Sequence, residues 1–371
     1  MIKPCKFTVK IPLNLGSIDL NLSFPVRQRI ENDPGKQEYN GNKDKPENFQ
    51  QAFSRELLPL HGFWHKINPA EDTISAPICA FFIFLEQIMR MGYNQLNQFI
   101  ENALREDIGS GDHTTLSCIP EDVQGRAVLL AKQPGILAGT DVALEVFLHF
   151  DPRMKVEKII RDGNRVSPGD RPFTVTGSQR SILQTERLVL NIIQRMSGIA
   201  TTTAKYVEAV KGTGARILDT RKTTPNFRFL EKEAVRIGGG FNHRHGLYDM
   251  ILIKDNHIDY AGGVKEAVER AWSYVKDKQL DIKIEVEART LEDVRIILET
   301  GKAFRILLDN FSPALIADAV KLIDHRLETE ASGGITLENI REYALAGVDF
   351  ISVGALTHQI NSMDFSLKAI S

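Results

Sequence analysis

Cysteine, tryptophan and net charge are all scarce in this 371-residue chain. Its three cysteines, Cys5, Cys79 and Cys118, stand far apart without metal-ligand spacing, which excludes a disulfide framework or a thiolate zinc site and suits a reducing cytoplasm. Lys plus Arg (46) nearly cancels Asp plus Glu (48), so the chain as a whole is no polybasic nucleic-acid binder. No run reaches the roughly 18 to 20 apolar residues of a membrane span. The nearest, Ala76 to Leu85, is ended by Glu86, lies too far into the chain for a signal peptide, and reads as a short buried helix. What is present is ordinary globular composition, 42% apolar and 25% charged, at a length that suits two domains with a surplus.

The surplus lies at the start. Residues 1–90 hold an alternating stretch, Phe7 to Phe24, that reads as a hairpin, then a polar run from Arg27 to Gln51 that reads as loop or disorder. No reactive groups are paired there, and the block ends at Met89 and Met91, where translation is expected to begin. An amphipathic helix follows (Tyr93 to Arg105), and Gln124 to Thr176 is strand-rich around a helix at Asp141 to Phe150, the pattern of a small α+β domain. A long helix, Ser181 to Met196, leads into the second domain.

Beyond Gly214 apolar strands alternate with helices. The strands are 215–219, 250–254, 283–287, 304–309, 328–332 and 350–354; the helices include Val264–Val275, Leu291–Leu298, Ala314–Ile323 and Leu337–Ala344. Such alternation predicts a parallel sheet, either a barrel or doubly wound, and the lack of a GxGxxG after a first strand disfavours the dinucleotide fold.

Reactive side chains gather at the C-terminal ends of these strands, where parallel barrels build their sites. They are Arg221 and Lys222, Lys254, Glu287, Asp309, Ser332-Gly333-Gly334 and Gly354-Ala355. Between Thr220 and Lys254 seven basic residues face three acids, and His243 and His245 add to them, so the site is locally positive and suits a small polyanion. Arg228, Lys232 and Arg236 alternate with Glu231 and Glu233 and read as a solvated helix face. Ser332 to Gly334, ahead of a Thr336 cap, reads as a phosphate cradle. Glu287 and Asp309 end neighbouring strands and form a natural Mg²⁺ pair, the bland reading being salt bridges to Lys222 or Lys254.

Residues 219–257, with REDIGSGDHTT (105–115), RMSGIATT (195–202), IEVEA, LLDNFSP, ASGGI and ISVGALTH, resemble the quinolinate phosphoribosyltransferase family over about residues 91–371. The resemblance implies an α/β fold: a small N-terminal open-faced α/β sandwich domain plus an incomplete parallel α/β barrel. The implied divisions are 1–90, 91–200 and 201–371, with the C-terminal end returning to the sandwich. It also implies a cytoplasmic homodimer with shared active sites, a hexamer being a further option, and no nucleic-acid or membrane partner. The implied reaction joins quinolinate to 5-phosphoribosyl 1-pyrophosphate with Mg²⁺, giving nicotinate mononucleotide, pyrophosphate and CO₂ in NAD biosynthesis.

Carried over by position, Arg187, Arg221, His243, Arg244 and Lys254 resemble the carboxylate-binding set. Lys222 and Lys254 face the donor, and Glu287 with Asp309 hold Mg²⁺ and ribose hydroxyls, which makes Lys222, Glu287 and Asp309 the implied catalytic residues. Ser332, Gly333, Gly334, Gly354 and Ala355 complete the substrate-binding set. Asn226 stands where many members have Gly, and Lys132 lies near where some supply a basic residue across the dimer. Two rival readings remain: a phosphoribosyltransferase using nicotinate or another pyridine carboxylate, and a non-catalytic binding protein on the same fold.

Overall fold

The computed structural model describes residues 94–370 in full, together with the backbone of two strands nearer the start. Contacts divide the chain into Met1–Ala80 and Phe81–Ser371. In the first unit β1 (Cys5–Leu13) pairs antiparallel with β2 (Gly16–Phe24), from Cys5 opposite Phe24 to Leu13 opposite Gly16, which is the expected hairpin. The polar run from Arg27 to Gln51, the apolar stretch from Ala76 to Leu85 and the methionines Met89 and Met91 lie outside the described residues.

The described part of the second unit begins with helix α1 (residues 94–108) and the short α2 (His113–Cys118), capped by the Asp112 carboxylate, which accepts the Thr115 N–H at 3.0 Å. A four-stranded antiparallel sheet follows, in the order β14-β3-β7-β5, built from β3 (Gln124–Ala131), β5 (Lys155–Lys158), β7 (Phe173–Ser178) and the last strand of the chain, β14 (Phe365–Ile370). A two-stranded ribbon of β4 (Gly135–Ile136) and β6 (Arg165–Val166) stands beside it. Helix α3 (Thr140–Phe150) supplies Phe147, whose ring meets Phe173 edge-on at 6.0 Å.

Helix α4 (Gln179–Ala209) is 31 residues long, far beyond the expected end at Met196. At 1.5 Å per residue it spans about 46 Å. The extension reads poorly in sequence because Ser197-Gly198 and Thr201 to Thr203 are weak helix formers. Tertiary contacts hold it instead. Ser197 donates to the Ala138 carbonyl at 3.1 Å, Thr201 accepts the Ile136 N–H at 2.8 Å, and Gly198 lies so close to Asn361 that a Cβ would meet its carbonyl.

The remaining six strands form one parallel sheet in the order β8-β13-β12-β11-β10-β9. They are β8 (Arg216–Leu218), β9 (Met250–Ile253), β10 (Lys283–Ala288), β11 (Arg305–Asp309), β12 (Glu328–Ser332) and β13 (Phe350–Ser352). Helices α5 (Arg228–Ile237), α6 (Asp255–Ala261), α7 (Val264–Asp277), α8 (Leu291–Thr300), α9 (Pro313–Ile323), α10 (Ile340–Leu345) and α11 (Ala355–His358) connect them. Six strands with β8 and β9 at the two ends make an incomplete α/β barrel.

Because side chains alternate along a strand, Glu285 and Glu287 share one face of β10, as Arg305, Leu307 and Asp309 do on β11 and Glu328, Glu330 and Ser332 on β12. Ile284, Val286 and Ala288 fill the opposite face, fully or nearly buried. Charge is therefore not confined to strand ends: Glu285, Arg305 and Glu330 are buried within strands. Arg305 bonds Glu328 (2.7 Å) and Glu330 (3.0 Å) and lies 4.3 Å from the centroid of the Phe350 ring.

Candidate active site

A cavity of about 610 Å³ opens at the C-terminal strand ends, a size ordinary for small-molecule sites. Its walls carry Arg221, Lys222, His243, Arg244, Lys254 and Asp309, and its rim Ser332, Gly333, Gly334, Gly354 and Ala355. Twelve expected substrate-binding or catalytic residues besides Arg187 were named from sequence, and all but Glu287 line it.

The basic half is held tightly. Arg221 lies three residues past the end of β8, and its Nε is buried without a hydrogen-bond partner. Arg244 donates from Nη1 to the Met250 carbonyl at 3.2 Å. Burial lowers the Arg244 pKa, and the Arg221 charge lowers it further, so two guanidinia press on each other and an anion between them would relieve both. His243 Nδ1 accepts the Arg244 N–H at 2.6 Å while Nε2 lies 2.9 Å from Glu285 and 3.5 Å from Glu330. Both ring nitrogens thus face protein. Burial lowers the His243 pKa most, favouring the neutral ring.

Glu287 sits behind the wall, buried, its Oε1 accepting the Asp255 N–H at 3.3 Å. Burial raises its pKa first and the Asp309 charge adds to the rise, which puts the two carboxylates within each other's field. Lys254 Nζ is 4.0 Å from Glu287 and half-exposed, so the bland salt-bridge reading holds only loosely. A second acidic group lies deeper. His243, Glu285 and Glu330 offer ligand atoms within 4.8 Å of one another, a set that could hold a divalent metal.

The rim depends on glycine at two places. Gly333 has φ +93°, and a Cβ there would run into the Asn310 side chain and lie 2.9 Å from the Asn310 backbone nitrogen. At Gly354 a Cβ would come within 2.9 Å of His358 and 3.0 Å of Lys222. Thr336 caps no helix. Residues 333–339 form a turn in which Thr336 N–H donates to Asn339 Oδ1 at 2.8 Å, and α10 begins only at Ile340. The expected helix start is thus displaced: the Ile340 N–H donates to the Thr336 carbonyl at 3.0 Å, and the Asn339 side chain donates back to the Gly334 carbonyl at 3.1 Å.

Arg187 is exposed on α4 and does not line the cavity. Lys132 is likewise away from it, and Asn226 adopts φ +62°, the left-handed region where Gly is at home and Asn is the best-tolerated substitute. Asn310, next to Asp309 at its strand end, also lines the cavity, as do His358 and Gln359, which sequence reasoning missed. A signal existed for His358, since it falls within a motif that follows a strand end.

The solvated-face reading of α5 fails. Lys232 is buried and paired with Asp219 at 2.5 Å, Glu231 is buried against Arg195 at 2.7 Å, and Arg228 bonds Thr223 and the His245 carbonyl. Only Arg236 with Glu233 forms the exposed pair that was expected. The helix packs inward on its charged side because two strand-end segments lie there for it to hold.

Fold and site together define an α/β-barrel enzyme with a positively charged pocket for small anions. Family matches then fix the membership: the quinolinate phosphoribosyl transferase C-terminal domain matches residues 199–368 and the N-terminal domain residues 112–197. The chain belongs to the quinolinate phosphoribosyltransferase family. It is 46% identical over 288 residues to the chloroplastic nicotinate-nucleotide pyrophosphorylase (carboxylating) of Arabidopsis thaliana, covering 74% of this chain and 82% of the relative. A probable nicotinate-nucleotide pyrophosphorylase of Bacillus subtilis is 41% identical over 277 residues, covering 75% and 94%. The crystal structure of NadC from Streptococcus pyogenes superposes with a TM-score of 0.71 at 39% identity, covering 75% of this chain and 98% of that one.

Proposed function

We propose that this chain transfers the phosphoribosyl group of 5-phosphoribosyl 1-pyrophosphate to quinolinate, with decarboxylation, releasing nicotinate mononucleotide, pyrophosphate and CO₂. One observation carries the choice of a diacid: the Arg221 Nε is buried and unpaired, and the Arg221 charge lies close enough to Arg244 to add to the lowering that burial imposes on the Arg244 guanidinium. A buried unpaired donor costs free energy that a bound carboxylate returns. A single carboxylate would leave one of the two guanidinia without an anion, which disfavours nicotinate as substrate. The names of the relatives agree with this reading.

Arg221 and Arg244 bind the ring carboxylates and aim the ring nitrogen at the sugar C1. Lys222 and Lys254 face the donor, and the glycine turns at 333–334 and 354 leave room for its phosphate. As the bond to pyrophosphate breaks, positive charge builds on the sugar, and Asp309 with Glu287 stabilises it electrostatically. Ribosylation makes the ring nitrogen cationic, so it stabilises the electron pair left on C2 when the 2-carboxylate departs as CO₂, and C2 then takes a proton from water. No general base is needed, which suits a site without a nucleophile–base pair.

Glu287 and Asp309 fit Mg²⁺, a hard cation that takes one or two carboxylates and completes its shell with water and phosphate oxygens. When bound there, the ion would neutralise charge on the pyrophosphate. The His243 cluster fits it less well, because an imidazole is a poor Mg²⁺ ligand and Arg305 already supplies a cation to Glu330 at 3.0 Å.

Arg187 completes the carboxylate set from a second copy of this chain, a reading supported by its exposure on the long helix, away from its own cavity. The dimer is the unit this requires. Scarce cysteine, with Cys118 free and exposed, supports a reducing compartment, and we assign the chain to the cytoplasm; among the described residues no helix is long and apolar enough to cross a membrane. A spectrophotometric assay with quinolinate and with nicotinate tests the function. Product and CO₂ from quinolinate alone are expected, and turnover of nicotinate alone would sink the assignment.

A further inference from the structure

Two consecutive residues of α5, Glu231 and Lys232, are buried yet line no part of the cavity. Neighbours on a helix point about 100° apart, so they reach in different directions. Glu231 accepts four hydrogen bonds: from Arg195 Nε (3.0 Å) and Nη2 (2.7 Å), and from Thr224 Oγ1 (2.9 Å) and N–H (3.1 Å). Arg195 donates also to the Thr357 carbonyl at 2.7 Å, and the Thr357 hydroxyl donates to the Lys222 carbonyl at 2.7 Å. The segment bearing Lys222 is thus fixed through its backbone at two points.

Lys232 serves the other segment. Its ammonium donates to Asp219 Oδ1 at 2.5 Å and to the His243 carbonyl at 3.0 Å, and Asp219 Oδ1 also accepts the His243 N–H at 2.8 Å. The His243 residue is held at both its N–H and its carbonyl by this pair, and the His243 ring in turn holds the Arg244 N–H at 2.6 Å. Arg221 lies two residues beyond Asp219 and follows the same anchor. A buried ion pair is a poor way to gain stability, since apolar residues of similar volume do as well or better. Here the spare hydrogen-bonding capacity of both pairs goes to backbone groups of substrate-facing segments.

We infer that Lys232, with Asp219, is a positioning residue for the dicarboxylate half of the site, and that Glu231, with Arg195, is a positioning residue for the donor half. The inference rests on the proposed function. It assigns roles to residues that touch neither substrate, and it predicts opposite specificities for neighbours in sequence.

The test uses the full chain with Glu231→Gln, and with the double change Asp219→Asn/Lys232→Met, which leaves no unpaired buried charge. Calorimetry reads quinolinate binding and, with Mg²⁺, donor binding. The double variant should melt cooperatively and bind quinolinate about tenfold or more weakly, with donor affinity within about twofold, the size of loss that small misplacements cause. Glu231→Gln should weaken the donor more than quinolinate. Equal weakening of both substrates by each variant, unchanged affinities, or loss of cooperative melting in both variants would reduce these residues to structural supports and overturn the inference. Wild-type protein that binds neither substrate would overturn the functional reading itself, and this inference with it.

Discussion

Glu285 and Glu330 bury two carboxylates across strand β11, with ligand oxygens within 4.8 Å, the Arg305 guanidinium 3.0 Å from Glu330 and the His243 ring 2.9 Å from Glu285. Burial, and then the Glu285 charge, push the Glu330 pKa from 4.5 up to about 7. The folded protein therefore holds a proton that the unfolded chain releases. The stability this group contributes is full below pH 4.5 and is lost as pH rises through about 7.

Glu330→Gln removes that dependence. Urea unfolding should find the variant near wild type at pH 5 and gaining on it at pH 8, by at most about 3 kcal/mol. Arg305 keeps Glu328 as a partner, so it is not stranded. A variant equally destabilised at both pH values would place the shared proton elsewhere.

Arg221→Ala and Arg244→Ala should each lose quinolinate affinity far more than donor affinity, because each strips a partner from a desolvated carboxylate, a loss typically worth about 2 to 5 kcal/mol. Calorimetry measures both ligands directly. Normal quinolinate binding by either variant contradicts the dicarboxylate assignment.

Glu287→Ala or Asp309→Ala should damage Mg²⁺-dependent donor use and turnover while leaving quinolinate binding largely intact. Initial rates over a Mg²⁺ series read this out. Unchanged rates and Mg²⁺ dependence in both variants would move the metal off these strands.

Arg187→Ala and Lys222→Ala should each be nearly inactive alone. If Arg187 crosses between subunits, co-refolding the two inactive chains restores about a quarter of wild-type activity, because half of the dimers are mixed and one site in each is intact. No recovery in verified mixed dimers would return Arg187 to its own subunit.

Residues 91–371 alone should fold, dimerise and keep activity, as judged by sedimentation and assay. The cut must spare α1, whose Phe99 ring packs 5.5 Å from Phe227 and 5.8 Å from Phe229 at the start of α5. Phe99→Ala should cost about 2 kcal/mol, since the ring is only half-buried. Insoluble protein from Met91 onward would make the first 90 residues part of the fold.

The strands of the barrel were legible because each is a short apolar run between helical periods, and the strand-end residues followed from their order. What hid was charge inside elements. Glu285 and Glu330 stand at alternate positions of KIEVE and ETEAS, a pattern that in an antiparallel sheet would mark a wet face. A parallel sheet is covered on both sides, so alternate acids there had to be buried and paired, and the parallel assignment itself carried that signal. Lys232 hid for the opposite reason: a helix rich in both charges looks solvated until the segments it holds are known. The true length of α4 was illegible because Gly198 and its neighbours are tolerated through contacts with residues far along the chain.

Strand β14 joins β3 as an edge strand of the small sheet, with Phe365 opposite Ala131, although the two are separated in sequence by the whole barrel. During synthesis β3 emerges early and its free edge stays open until the final residues leave the ribosome. The small sheet is thus begun before the barrel and completed after it, and the edge β3 leaves open meanwhile is the place where nascent chains would pair wrongly with one another. Loss of the last six residues would remove no catalytic group, yet would make that unfinished state permanent.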